Sequence, residues 1–267
     1  MDLLDVHFHS AVLGMETRMK VLLPERANER DMNEEKVAAL DGFGGLYFLH
    51  GMGNGYSAVL RWTNIDRYAN GHNVAVFMPE GSLAWYTDEK YGFRYFTYIT
   101  EELPEICRNF FPKLKTGRRD TFIAGMSMGG YGALKCALNR PDLYLGAGLF
   151  AGAFENMEHL HNEGDPEMKH NLFYNIYGTL DECRGSESDL LAQVVKRKDE
   201  TDKVRLFQCC GTRDTLYPAN LEMRDALRAN GWDVTYSEGD AAHDFAYWDL
   251  EMPAFFDWLD ETREREV

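Results

Sequence analysis

The sequence predicts an α/β domain: a mostly parallel central sheet, antiparallel strands at its N-terminal edge, and helices on both faces. Short apolar, β-rich runs alternate with helical patterns through most of the chain, as parallel strands covered on both sides do. The first two runs instead follow one another directly, the mark of an antiparallel pair. A length of 267 residues, 45% of them hydrophobic, suits one large domain of this class.

Taken in order, "DVHFHSAVLG" and "ETRMKVLLP" form the antiparallel pair, the second ended by Pro24. "NERDMNEEKVAALDG" is a polar connection. The strands expected next are "GGLYFLHG" (44–51), "HNVAVFMP" (72–79), "DTFIAGMS" (120–127), "LGAGLFAG" (145–152), "KVRLFQCCG" (203–211) and "WDVTYSEG" (232–239). Between and after them the helical patterns are "WTNIDRYANG", "RYFTYITEELPEICRNFF", "YGALKCALNRPD", "SESDLLAQVVKRK", "PANLEMRDALRANG" and "FAYWDLEMPAFFDWLDETRE". Residues 153–187 break the rhythm, lying between two core strands without strand alternation. Loops this long are usually functional. This one follows the strand after Ser127, so it is expected as a small cap near the carboxyl ends of the strands, where open α/β sheets bind ligands. Its aromatics are a candidate surface for homo-oligomer formation.

Charge and cysteine usage narrow the function classes. The net charge is −16, with 44 acidic against 28 basic residues, and the best basic run, "KLKTGRR", is short. A nucleic-acid partner needs clustered Lys and Arg, so none is expected. No apolar run approaches the roughly 20 residues of a membrane span, and the start lacks the basic and apolar regions of a signal peptide. The five cysteines are expected as reduced thiols in a cytoplasmic protein.

"GMSMG" matches G-x-S-x-G at the end of an apolar strand and the start of a helix. A tight strand-to-helix turn lifts a serine hydroxyl above the sheet, and Gly125 and Gly129 leave room for the backbones. Ser127 is therefore the candidate nucleophile. A serine hydroxyl needs a base, and the base an orienting carboxylate, in the chain order Ser, acid, His. Asp214 follows a strong apolar run in "KVRLFQCCGTRDTLYP"; a turn-capping role is its bland alternative, and Asp181 and Glu182 are weaker candidates. His243 is the histidine downstream of Asp214, in a loop just before the final helix. A tetrahedral intermediate also needs two N–H donors. The Met128 N–H at the helix start is one. The Met52 N–H, after His50 and Gly51 in a glycine-rich loop, is the other, with His50 expected to hold that loop by hydrogen bonding.

"FLHGMGNG", "MPEGSLAWYTD", "FIAGMSMGGYGALKCAL", "YGTLDECRGSESDL", "CGTRDTLYPAN" and "EGDAAHDFAYWD" together resemble the tributyrin-esterase branch of the esterase D and S-formylglutathione hydrolase family of α/β-hydrolases. The resemblance spans nearly the whole chain. It implies a serine carboxylesterase for short acyl esters (acetyl-type, on sugars or hydroxycinnamates), with no cofactor and a small-molecule ester as its partner. It carries over Ser127, Asp214 and His243 as a triad, Met52 and Met128 as oxyanion donors, and His50, Gly51, Trp85 and Tyr86 as the pocket edge. For Trp85 and Tyr86, substrate contact and packing both stay open. The loop after His50 lacks the cysteine associated with S-formylglutathione hydrolases, which counts against a glutathione thioester as the main substrate; an S-formylglutathione hydrolase-type thioesterase stays as the alternative.

Two other readings stand beside this one. His159, His161, Glu163, Asp165 and His170 include zinc-type ligands, but their spacing fits no familiar site and a solvated loop explains them. A non-catalytic binding protein on the same fold is also conceivable, since fold alone does not fix function.

Overall fold

A computed structural model describes residues 1–24, 42–155 and 166–266, with backbone alone over 166–171. Alternation makes the edge. Asp2–Ser10 (β1) and Met15–Leu23 (β2) pair antiparallel from Asp2↔Leu23 to Ser10↔Met15, and β1 exposes every second side chain or so. Continuous apolar runs make the centre: Gly44–Leu49 (β3), Val74–Pro79 (β4), Thr121–Met126 (β5), Gly146–Phe150 (β6) and Arg205–Gly211 (β7) are buried along nearly their whole length. Val234–Gly239 (β8) closes the far edge with mixed exposure.

One sheet results, ordered β1-β2-β4-β3-β5-β6-β7-β8. From β4 to β8 every pairing is parallel, and β2 joins β4 antiparallel. All the expected strands form. What the runs do not announce is that β4 inserts between β2 and β3.

The helices are α1 (Ala58–Trp62), α2 (Ile65–Ala69), α3 (Tyr95–Thr97), α4 (Leu103–Phe110), α5 (Met128–Asn139), α6 (Pro166–Tyr177), α7 (Leu180–Cys183), α8 (Leu190–Lys196), α9 (Tyr217–Ala229) and α10 (Phe245–Glu264). Alternate residues of β3 serve the two faces. Leu46 and Phe48 pack with Val59, Ile65, Trp248 and Phe255 from α1, α2 and α10. Tyr47 and Leu49 belong to the core made with Leu103, Leu134, Val194 and Met223 from α4, α5, α8 and α9.

Two expected helices differ in detail. The pattern starting at Trp62 forms α1 and α2 instead, because Thr63 turns extended (φ −135°, ψ 171°) and its hydroxyl caps the Val59 carbonyl at 2.6 Å. The pattern over 94–111 is helical but passes through a π-helical turn, Tyr98–Glu102, just before Pro104. Proline lacks the N–H and crowds the preceding carbonyls, and a π turn absorbs that misfit.

Of the polar connection, 28–41 lie outside the described residues, as do 156–165 of the expected cap. Between residues 166 and 183 the described part of that insertion is mostly helical, in α6 and α7. The end of α6 is tied to the chain after β4, where Lys90 N–H donates to Ile176 O and Tyr91 N–H to Asn175 O, each at 3.0 Å. No described helix is long and apolar enough to cross a membrane, and all five cysteines are free and buried.

Candidate active site

Parallel strands put their carboxyl ends on one side, and the chain leaving β3, β4, β5, β7 and β8 brings the candidate residues there. Ser127 joins β5 to α5 at φ 56°, ψ −119°, a conformation non-glycine residues rarely adopt. Such strain costs about 1–3 kcal/mol and persists only where the surroundings enforce it. Three backbone hydrogen bonds do so: Ser127 N–H donates to Phe150 O at 2.9 Å, and Ser127 O accepts from Tyr131 N–H at 3.1 Å and Ala153 N–H at 3.0 Å. A Cβ on Gly129 would overlap the Leu49 carbonyl, and one on Gly125 would overlap the Gly129 backbone. The corner therefore closes only with glycine at both places.

Met128 is the first residue of α5 and is buried. Its N–H has no acceptor within the helix and sits at the positive end of the helix dipole. Gly51 presses against the same corner: a Cβ there would lie 3.4 Å from both Ser127 Cβ and the Met126 carbonyl. The loop carrying the Met52 N–H thus borders Ser127.

Asp214 follows β7 with its side chain buried. Its two oxygens divide the roles weighed from the sequence. Oδ1 accepts the Leu216 N–H at 2.8 Å, capping the turn into α9, while Oδ2 lies 2.7 Å from His243 Nδ1. Since a carboxylate can only accept, the proton is on Nδ1, and Nε2 keeps the lone pair a base requires. The loops bearing the two residues are stitched together by Thr212 N–H to Gly239 O (2.8 Å) and Arg213 N–H to Ala241 O (2.9 Å). The His243 ring stands edge-on to the buried Trp248, centroids 4.9 Å apart, with about a third of the side chain (32%) exposed.

The weaker acid candidates are engaged elsewhere. Glu182 closes a capping box with Thr179 and pairs with Lys90, and Asp181 pairs with Arg184 at 2.8 Å on the surface. His50, Trp85 and Tyr86, placed at the pocket edge on sequence grounds, are all buried. Tyr86 donates its hydroxyl to His50 O at 2.8 Å, and Trp85 packs edge-on between Tyr131 and Phe173. All three positions make the packing contacts and hydrogen bonds of the surrounding core. Of the zinc-type cluster, His159, His161, Glu163 and Asp165 lie outside the described residues, as does the His170 side chain.

A strained serine beside a glycine loop, with an aspartate–imidazole pair on the same sheet edge, is an arrangement able to transfer acyl groups. A family model described as putative esterase matches residues 10–259. The chain belongs to this esterase family. The esterase is 29% identical over 277 residues to an acetyl esterase of Caldicellulosiruptor saccharolyticus, an alignment covering 99% of this chain and 100% of that relative. Its fold is similar to that of fluorophosphonate-binding serine hydrolase F (FphF) of Staphylococcus aureus, at 31% identity and TM-score 0.84, covering 97% of this chain and 98% of the other. It is also similar to the S-formylglutathione hydrolase FrmB of the same organism, at 32% identity, TM-score 0.81 and coverage of 97% and 98%. The esterase is a carboxylic ester hydrolase of the serine class on the α/β-hydrolase fold.

Two charges beside the site, the half-buried Glu80 and the buried Lys135, escape the sequence reading. Glu80 follows β4 directly, next to His50. Lys135, two turns along α5 from Ser127, is fully buried and donates to Thr87 Oγ1 at 2.7 Å and Ser188 Oγ at 3.0 Å. It ties α5, the helix that begins after Ser127, to the chains after β4 and before α8. The one signal for it was a lone charge inside an otherwise apolar helix.

Burial pulls the Lys135 ammonium from its ordinary 10.5 down to about 8, against the carboxylates of Glu187 and Asp88, which raise it. The unfolded esterase therefore binds more protons here between about pH 8 and 10.5, and the contribution of Lys135 to stability rises with pH across that window. The melting temperature of wild type minus that of Lys135→Met should shift in favour of wild type between pH 7.5 and 10. A difference independent of pH would contradict this.

Proposed function

We propose that the esterase hydrolyses short-chain acyl esters through an acyl-enzyme on Ser127. The observation that carries this reading is the Asp214–His243 hydrogen bond at the same sheet edge as the strained Ser127. His243 Nε2 takes the Ser127 hydroxyl proton while Oγ attacks the ester carbonyl carbon. The C=O pair of electrons becomes an oxyanion held by the Met52 and Met128 N–H groups. Collapse of this intermediate expels the alcohol, which leaves with the proton from His243. Water then attacks the acyl-enzyme by the same route, releasing the carboxylic acid and restoring Ser127. Asp214 stays ionised and steadies the imidazolium formed at each step.

Residues 153–187 act as a small cap over this edge, a role supported by the ties from α6 to Lys90 and Tyr91. The named activity of the acetyl esterase relative favours an acetyl-type ester; sugar and hydroxycinnamate esters are the alcohol and acyl classes to compare. The likeness to FrmB favours a second substrate class, the glutathione thioester, despite the missing cysteine. Free, buried thiols fit a cytoplasmic setting, and the net charge of −16 argues against a nucleic-acid partner.

Rates across p-nitrophenyl esters from acetate to octanoate, acetylated xylo-oligosaccharides, methyl ferulate and S-formylglutathione test the substrate class. The expected result is the highest kcat/KM on acetyl esters and a fall with acyl length. A rising rate with acyl length, or S-formylglutathione preferred over every ester, would overturn it.

A further inference from the structure

The Gly51–Met52 peptide is held from its carbonyl side. Gly51 O accepts twice, from Asn54 N–H at 3.1 Å and from His50 Nδ1 at 2.9 Å. A carbonyl can only accept, so Nδ1 carries the His50 proton. The same peptide unit presents the Met52 N–H. Donors on a peptide carbonyl draw electron density toward oxygen and leave the amide hydrogen more positive, the cooperative effect seen in hydrogen-bonded chains. They also fix the plane of the peptide, and with it the direction of its N–H.

The His50 ring is itself held. It is 3% exposed, its Nε2 accepts the Gly81 N–H at 2.9 Å, and its backbone carbonyl takes the Tyr86 hydroxyl at 2.8 Å. Glu80 gathers the chains around it. Oε1 accepts Ser82 N–H at 3.1 Å and lies 3.2 Å from His50 Nε2, and Oε2 accepts Tyr56 N–H at 3.4 Å. One carboxylate thus joins the turn that supplies the Gly81 N–H to the far end of the loop that starts at His50.

We propose that Glu80 and His50 are positioning residues for the oxyanion hole. Glu80 fixes the Gly81–Ser82 turn, that turn fixes the His50 ring, and His50 aims the Met52 N–H through the Gly51 carbonyl. Asp214 orients His243 directly, whereas Glu80 acts on His50 through the Gly81–Ser82 turn. Burial raises the Glu80 carboxyl, and the Ser82 and Tyr56 N–H groups that Glu80 accepts favour its ionised form.

This inference rests on the acyl-enzyme reading, and the test separates the two. Glu80→Gln keeps the size but offers one acceptor oxygen where two are used. It should lower kcat on p-nitrophenyl acetate by about ten-fold, less than the loss of a whole oxyanion donor, with KM changed less than two-fold. Affinity for a trifluoromethyl ketone, which forms an oxyanion on a reactive serine, should weaken by the same factor. In His50→Asn, whose amide can still reach Gly51 O but not Gly81, adding Glu80→Gln should cost less than it does alone. Wild-type kcat and ketone affinity in Glu80→Gln, a loss carried by KM, or full additivity would overturn the positioning role. Failure of the wild type itself to bind the ketone would instead overturn the acyl-enzyme reading.

Discussion

Ser127→Ala is expected to abolish turnover of p-nitrophenyl acetate, a loss on the order of 10⁶ in kcat, the size seen when a triad nucleophile is removed. The fold should survive. The three backbone hydrogen bonds that hold residue 127 use its N–H and carbonyl, not its hydroxyl. Alanine has the same Cβ as serine and meets the same strain at φ 56°. A melting temperature close to wild type with esterase activity at background is therefore the expected pair of results. Retained activity in the variant would place the nucleophile elsewhere.

Asp214→Asn should cost about 10⁴ in kcat while leaving the structure nearly intact. The asparagine carbonyl can still accept the Leu216 N–H that Oδ1 takes at 2.8 Å, so the turn into α9 stays capped. Its amide group would then face His243 Nδ1 as a donor. The imidazole answers by moving its proton to Nε2, and a protonated Nε2 cannot take the proton of Ser127. Stopped-flow rates and a thermal melt on the same preparation check this. A rate within ten-fold of wild type would mean that the 2.7 Å Asp214–His243 contact is only a turn cap with a neighbour.

The sheet was legible because β3 to β7 are buried on both faces, which writes continuous apolar runs into the sequence. Ser127 was legible from its glycines, since the corner has no room for a Cβ at 125 or 129. Asp214 and His243 followed from position, each just beyond a strand and in the required order. In the proposed acyl-enzyme route Met52 and Met128 act through the backbone, so their side chains carry no signal and only their places beside Gly51 and Ser127 do. The insertion of β4 between β2 and β3 was not legible, because periodicity reports faces and not neighbours. Glu80 and Lys135 were missed for a related reason. Lys135 and, for its longer-range contacts, Glu80 meet partners from segments distant in sequence, and a charge gives no local sign of such partners. Tyr86 illustrates the converse: an aromatic after a strand looked equally suited to substrate or core, and its hydroxyl is spent on His50 O.

A fluorophosphonate reacts with a serine only where base and oxyanion donors already surround it, so its site of attachment tests the account most directly. Intact-mass measurement should show one phosphonyl group per chain, and peptide mapping should place it on Ser127. An esterase that hydrolyses p-nitrophenyl acetate yet carries the adduct on another residue, or carries none, would contradict the account.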